Sequence, residues 1–113
     1  MAKVFIWLDD EENRDGWKYG HMQAAIAKLG LFDRYITCRT AEDVITEIVC
    51  NFNDSFFISF DHDLGSGQDG YYLAKWLVEF KPRVLGFNIH SMNSVGRANI
   101  MQLLTHYGYR YLQ

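Results

Sequence analysis

Four β-prone segments, each cut off by polar or acidic residues, constrain the fold of this 113-residue chain more than any other feature. Three of them, at residues 4–8, 56–60 and 84–89, are almost continuously apolar, and the fourth lies at 34–38. Strands of this kind are typical of a parallel sheet that helices cover on both faces, because neither face of the strand meets water. The chain is therefore expected to form an α/β fold with a parallel sheet.

Segments with the periodicity of amphipathic helices separate these strands. Apolar side chains recur in them at intervals of three and four residues, and glycine, proline or an Asn-Asp pair follows each segment. Thr40 and Ser94 precede two of the segments and are predicted to cap those helices. The predicted helices cover about residues 17–30, 41–52, 69–80 and 94–107.

The alternation of strands and helices predicts a topology. With a last short strand at 109–112 the order is (βα)4β, and no helix follows the fifth strand in this sequence. We predict one flavodoxin-like domain over residues 1–113, with five parallel strands in the order 2-1-3-4-5. In such sheets ligands bind beyond the carboxyl ends of the strands, at the point where the strand order reverses.

Net charge, cysteine spacing and hydropathy argue against a DNA-binding, a cysteine-based metal-binding or redox, and a membrane protein. Fourteen acidic and eleven basic residues give a net charge of −3, which argues against binding to double-stranded DNA through bulk charge. Cys38 and Cys50 match no metal-binding or redox spacing and are predicted to be buried free thiols. No apolar stretch approaches the ~20 residues of a membrane helix, and no signal peptide is recognisable. We expect a cytoplasmic protein with no membrane partner.

Acidic residues cluster after two strands that the predicted topology makes neighbours. Asp9 and Asp10 follow the first strand, and Asp61 and Asp63 follow the third. Carboxylates held a few ångströms apart repel one another unless a cation lies among them, and Mg²⁺ suits two or three carboxylates together with a substrate phosphate. We therefore predict that these aspartates bind Mg²⁺ or Mn²⁺. The alternative is that they are solvated loop residues.

Two histidines and a set of anion-binding groups lie at the same strand ends. His62 follows the third strand, and His90 ends the fourth. An imidazole has a pKa near 6.5, so either histidine beside a metal could act as general acid or base, with a structural role as the alternative. Hydroxyl, amide and guanidinium donors near the start of the fourth helix are predicted to bind phosphate: Ser91, Asn93 and Arg97.

Four motifs stand out when they are taken together. They are Trp-Leu-Asp-Asp-Glu at 7–11, Phe-Asp-His-Asp-Leu-Gly at 60–65, Asp-Gly-Tyr-Tyr-Leu-Ala-Lys-Trp-Leu at 69–77 and His-Ser-Met-Asn-Ser-Val-Gly-Arg at 90–97. With them, nearly the whole chain resembles the cyclic-phosphate processing receiver domains. The second and fourth motifs are fairly specific in combination, whereas every response-regulator receiver shares the acidic pair. The resemblance implies a receiver-like α/β domain that acts on cyclic or terminal phosphates of nucleic acids or nucleotides.

The resemblance also implies roles for single residues. By position, Asp9 and Asp10 look like the metal-binding acids of a receiver, and Asp61 looks like its phospho-accepting aspartate. Ser91 is similar to the hydroxyl residue that closes strand four. Two departures weaken a phospho-switch: residues 109–113 hold no lysine where a signalling receiver has one after strand five, and its output helix is absent from this sequence.

Two functions of different classes are compatible with these features. The favoured one is a hydrolase, a metal-dependent phosphoesterase that opens or processes a cyclic phosphate on a nucleotide or an RNA end. Its catalytic residues would be Asp61, His62 and His90. The alternative is a non-enzymatic receiver-like module that binds a phosphorylated ligand or a protein partner. A haloacid-dehalogenase phosphatase also carries an Asp-x-Asp element, but after its first strand and in a longer chain.

Overall fold

A computed structural model of the chain describes residues 1–10, 15–61, 70–90 and 93–112, with the first three residues of the second range described by backbone alone. Strands and helices alternate along it. The strands are β1 (Lys3–Leu8), β2 (Arg34–Cys38), β3 (Ser55–Phe60) and β4 (Arg83–Ile89). The helices are α1 (Asp15–Leu29), α2 (Ala41–Cys50), α3 (Gly70–Phe80) and α4 (Ser94–His106). None of these helices is long and apolar enough to cross a membrane.

The four strands form one parallel sheet in the order β2-β1-β3-β4. Ile6 of β1 pairs with Ile36 of β2 on one side and with Ile58 of β3 on the other. On the far side of β3, Ile58 pairs with Phe87 of β4. The predicted α/β class, the parallel arrangement and the order of the first four strands are confirmed.

The prediction of a fifth strand at residues 109–112 is wrong. Within the part of the chain that the structure describes, this segment makes an isolated parallel bridge between Tyr111 and Phe87. The Phe87 N–H donates to the carbonyl of Arg110 at 2.9 Å, and the Leu112 N–H donates to the carbonyl of Phe87 at 2.8 Å. Two bonds to a single residue of β4 do not make a strand.

The end of α4 explains why the pairing stops there. The N–H of Tyr109 donates to the carbonyl of Leu104 in α4 at 3.0 Å, so the segment begins as the close of a helix. It still lies against β4, at the edge where the predicted order put a fifth strand. Gly86 permits that approach, because a Cβ at this position would stand 2.7 Å from the Leu112 side chain.

The cap of one helix agrees with prediction and that of another differs. Thr40 caps α2 as expected, and its Oγ1 accepts a hydrogen bond from the Asp43 N–H at 3.1 Å. The cap of α4 is Asn93 instead of Ser94, because the Asn93 side chain accepts from the Gly96 N–H at 2.9 Å. Asparagine caps as well as serine does, so the helix begins one residue earlier than the serine suggested.

The cysteines divide between the core and the surface. Cys38 is buried at the end of β2, whereas Cys50 is exposed at the end of α2. Since α2 ends at Cys50 and not near residue 52, the last part of the predicted apolar stripe faces water, and Phe52 is 45% exposed. The predicted burial of both thiols is therefore right only for Cys38.

Helices on both sides of the sheet produce two apolar clusters. The larger one joins the sheet to α2, α3 and α4 and includes Ile6, Ile58 and Leu77. The smaller one lies on the α1 side and is more aromatic: Phe5, Trp7, Ala25, Phe32, Phe57 and Leu112. Because successive side chains of a strand point to opposite faces, alternate residues of β1 and β3 supply the two clusters.

Candidate functional site

Three buried side chains meet beyond the carboxyl ends of β1, β3 and β4. They are Asp9, Asp61 and His90, and one potential ligand atom from each lies within 4.8 Å of the other two. Each residue directly follows the last residue of its strand. The strand order brings the three together, because β1 and β4 both flank β3. Their exposed fractions are 0%, 4% and 1%, so the set is shielded from water.

A second polar layer lies directly behind this cluster in the same three strands. Trp7, Ser59 and Asn88 each precede a cluster residue by two positions, and they are paired across the sheet, Trp7 with Ser59 and Ser59 with Asn88. Residues two apart in a strand point to the same face, so this layer lies against the cluster. Ser59 and Asn88 are 0% and 1% exposed.

Contacts on several sides fix the orientation of the His90 ring. Its Nε2 lies 3.5 Å from Oδ2 of Asp9, and its Nδ1 lies 2.9 Å from Oγ of Ser59. One face of the ring is stacked on the Trp7 indole, with 3.7 Å between ring centroids and 9° between planes. The Ser59 hydroxyl in turn donates a hydrogen bond to Oδ1 of Asn88. A line of polar contacts thus runs from Asn88 through His90 to Asp9.

Helix α1 adds a second imidazole to this end of the sheet. The His21 ring lies 5.8 Å from that of His90 and 5.6 Å from that of Trp7, measured between centroids. Burial, and to a smaller extent the positive charge of Arg97, lowers the pKa of His21 below its ordinary value of 6.5. Both effects favour the neutral form of the His21 imidazole.

Two of the predicted phosphate-binding residues make defined contacts with the protein. The guanidinium of Arg97 donates to the carbonyl of Ile89, and its Nη2 donates to the hydroxyl of Tyr111 at 3.1 Å. Two of the five guanidinium N–H groups are engaged in this way. The Oδ1 of Asn93 accepts the bond that caps α4. Arg97 thus links the start of α4 to the end of β4, whereas the Asn93 side chain is used within the start of α4 itself.

Gly70 allows α3 to begin close to the carboxyl end of β3. It is the first residue of α3, and a Cβ there would stand 2.5 Å from the carbonyl oxygen of Asp61 and 3.0 Å from Cδ1 of Ile100. No real side chain tolerates the first of these distances without movement of the backbone. The close approach of α3 to Asp61 therefore requires glycine.

The structure brings together only part of the predicted site. Of the predicted metal ligands, Asp9 and Asp61 lie in the cluster, whereas Asp10 is exposed and is not a member of it. His90, predicted as a catalytic residue, takes the third place. The remaining predicted residues lie outside the described part of the chain: His62, Asp63 and Ser91.

Three residues near the site were not singled out by the sequence. Ser59 and Asn88 left a weak signal, since each is a polar residue inside an otherwise apolar strand, two positions before a candidate site residue. His21 left none, because nothing in the periodicity of α1 separates it from a residue that faces water.

The sequence model of the cyclic-phosphate processing receiver domain matches residues 4–106, which is most of the chain. This chain belongs to the cyclic-phosphate processing receiver family. The resemblance of the four motifs is thereby confirmed. A comparison with curated proteins gives no match.

The receiver domain is also similar to a solved structure, described as a trimeric coiled-coil segment of yeast Spc42 in fusion. The two share 17% sequence identity with a TM-score of 0.56, and the match covers 90% of this chain. The receiver domain spans 63% of that other chain. At this identity the likeness shows the fold alone.

The donor atoms of the receiver cluster fit a divalent cation. Two carboxylates are the ligands that Mg²⁺ and Mn²⁺ prefer, and a buried pair of them is costly without a neighbouring positive charge. The imidazole of His90 shifts the expected preference of the site from Mg²⁺ toward Mn²⁺, because nitrogen ligands are better tolerated by Mn²⁺ and later transition metals than by Mg²⁺. The cluster of Asp9, Asp61 and His90 could therefore hold a metal ion.

Proposed function

We propose that this receiver domain is a metal-dependent phosphoesterase that opens or processes a cyclic phosphate on a nucleotide or at an RNA end. The observation that carries the proposal is the buried cluster of Asp9, Asp61 and His90 in a member of a family described as cyclic-phosphate processing. A module that only bound phosphate would need cationic and N–H donors. Two carboxylates buried beside an imidazole suit a bound cation instead, and that cation could both hold and polarise a phosphate, so turnover decides between the enzyme and a module that binds phosphate through the same cation.

Asp9 and Asp61 are the ligands proposed for the cation, Mg²⁺ or Mn²⁺, with His90 as a third and with Asp10 and Asp63 as the other predicted carboxylates. A divalent cation supplies Lewis-acid polarisation of the phosphate and offsets the charge that develops on it. The burial of the cluster strengthens this effect, since electrostatic interactions are less screened away from water.

Ring opening adds one water across a P–O bond and leaves a phosphomonoester and a free hydroxyl group. One group must take a proton from the attacking water, and one must give a proton to the leaving oxygen. His62 or His90 is proposed as the proton-transfer group, and one histidine can serve both steps, taking the proton from the water and then giving it to the leaving oxygen. Because both nitrogens of His90 already face protein groups, a ligand role suits His90 and proton transfer suits His62. Phosphate would be held by Ser91, Asn93 and Arg97.

Turnover of 2′,3′-cyclic mononucleotides and of RNA ending in a cyclic phosphate tests the proposal. We expect phosphomonoester products with Mg²⁺ or Mn²⁺ and none with excess chelator. Asp61→Asn should abolish the reaction, whereas the matched variant Asp33→Asn should not. Asp33 is exposed at the opposite end of the strands, where its side chain accepts a hydrogen bond from the Lys3 N–H at 2.7 Å that an asparagine oxygen can also accept.

The results also separate the alternative function. If the native protein binds the cation and a phosphorylated ligand but turns over no cyclic phosphate, the phosphoesterase proposal fails. A non-enzymatic phosphate-binding module is then the better description.

A further inference from the structure

Ser59 and Asn88 form a buried polar pair for which the proposed reaction has no direct use. Both side chains are fully enclosed, in strands whose other buried residues are apolar apart from those at the site. A buried hydrogen-bonded pair of this kind contributes little to stability compared with well-packed apolar residues. The pair is thus better explained by what it contacts, which is the Nδ1 of His90.

The protons available along this line of contacts determine the tautomer of His90. The Ser59 hydroxyl has one proton, and it is donated to Oδ1 of Asn88, an oxygen that only accepts. The 2.9 Å contact between Ser59 Oγ and His90 Nδ1 then requires the proton of that bond to come from Nδ1. In a neutral imidazole with Nδ1 protonated, Nε2 carries a lone pair.

The surroundings of Nε2 agree with a ligand atom. It lies 3.5 Å from Oδ2 of Asp9, whereas a charge-assisted hydrogen bond would bring the two atoms to about 2.7–2.9 Å. Stacking on Trp7 holds the plane of the ring, and the contact of Nδ1 with Ser59 leaves Nε2 on the edge that faces Asp9. Metal-binding histidines usually donate their other ring N–H to a protein oxygen, which fixes the tautomer and the ring orientation.

We propose that Ser59 and Asn88 are positioning residues that hold His90 in its Nδ1–H tautomer, with the Nε2 lone pair directed at a divalent cation shared with Asp9 and Asp61. The orientation of the Asn88 amide determines which groups donate in these hydrogen bonds. With its NH₂ group turned toward Ser59, the Ser59 hydroxyl would donate to Nδ1 of His90, and the imidazole proton would lie on Nε2. The inference rests on the cation site of the proposed function and not on the reaction.

Nuclear magnetic resonance of the metal-free native protein tests the tautomer directly. Long-range ¹H–¹⁵N correlations of the imidazoles, recorded at alkaline pH, distinguish a protonated ring nitrogen from one with a lone pair. We expect His90 to have a protonated Nδ1 and an unprotonated Nε2. A native His90 with its proton on Nε2 would overturn the proposal, whatever the protein does with metals or substrates.

Two variants test whether the pair sets the tautomer. Ser59→Ala removes the acceptor of Nδ1–H, and Asn88→Leu frees the Ser59 proton for donation to His90. Both should move the His90 proton toward Nε2 and raise the Kd for Mn²⁺, measured by calorimetry, by about 10–100-fold. Ser59→Thr, which keeps the hydroxyl, should restore both readouts, and Ser55→Ala, four residues earlier in β3, should change neither.

The outcomes keep the two proposals apart. If Ser59→Ala does not fold, Asn88→Leu and the native spectrum decide. An unchanged tautomer and an unchanged Kd for Mn²⁺ in the folded variants contradict the positioning role. A native protein that binds Mn²⁺ with the expected tautomer but opens no cyclic phosphate contradicts the phosphoesterase and leaves the positioning role standing.

Discussion

The two faces of the central strands differ in how they end. Toward α2, α3 and α4 the buried side chains stay apolar over the whole length of the strand, as in Phe56, Ile58 and Phe60 of β3. Toward α1 the same strand begins with Phe57 and changes to Ser59 and then to Asp61 at its carboxyl end. The comparison teaches that stability and chemistry are divided between alternate residues of one strand, so substitutions on the two faces should have separable effects.

The largest effect on stability should come from the apolar face. Ile58→Ala removes three buried carbon atoms from a fully enclosed position. We expect the free energy of unfolding, measured by urea denaturation, to fall by about 2–5 kcal/mol because of lost burial and the cavity left behind. The extra stability that the folded variant gains from Mn²⁺ should equal that of the native protein. A different gain in stability from Mn²⁺ would show that substitutions on the two faces do not act independently.

The opposite pattern is expected for the polar face. At a Mn²⁺ concentration 100 times the Kd, the native protein should gain about 2.7 kcal/mol of unfolding free energy. Asp61→Asn removes a carboxylate from the cluster, so we expect most of this gain to be lost while the metal-free protein still unfolds cooperatively. Thermal melts with and without Mn²⁺ measure the difference, with Asp33→Asn as the control. A full metal gain in Asp61→Asn would exclude Asp61 as a ligand.

A smaller effect is expected where the two faces meet. Gly70→Ala places a methyl group against the carbonyl of Asp61, and the backbone or α3 must move to make room. Overpacking of this kind costs about 1–3 kcal/mol. Since the displaced residue carries a cluster carboxylate, both the metal-free stability and the Mn²⁺ affinity should fall. Gly20→Ala, in a helical position with open space around it, should lower neither. A fall in stability with an unchanged Mn²⁺ affinity would show that Gly70 does not affect the position of the Asp61 carboxylate.

The smallest effect concerns accessibility and leaves stability unchanged. Burial in the apolar cluster, with the charges of Asp43 and Glu47 adding to it, raises the pKa of Cys38 to about 12. Because the thiolate is the reactive form, a disulfide reagent at pH 8 should modify only Cys50 in the folded protein. Cys50→Ser should then show no labelling until denaturant is added. Rapid labelling of that variant in the native state would mean that the apolar face opens readily.

Much of this arrangement could be predicted because short-range patterns report it. The apolar runs of β1, β3 and β4 and the polar residues that follow them indicate strands that end at one edge of a parallel sheet. Strand order then places Asp9, Asp61 and His90 together, as expected for neighbours of β3. Local sequence is sufficient here because each residue follows directly on its own strand.

What could not be predicted depends on contacts between distant segments. The pairing of Ser59 with Asn88 follows from the register of β3 on β4, which the periodicity of either strand alone does not determine. His21 approaches His90 only through the rotation of α1 on the sheet. The error about a fifth strand also comes from a contact between segments: the Tyr109 N–H donates to the carbonyl of Leu104 in α4 and is therefore not available for pairing with β4.

The alternation of faces along β3 has a consequence for how this domain can change. Substitution at one set of positions, such as Ser59 and Asp61, alters the chemistry without touching the residues that hold the sheet to its helices. Insertion or deletion of a single residue within residues 56–60 would exchange the two sets, burying the Asp61 carboxylate in the aliphatic core and turning Phe60 toward Asp9 and His90. Point substitutions on one face of β3 can therefore change the chemistry of the domain, whereas a change of length inside this strand would disrupt both the core and the site.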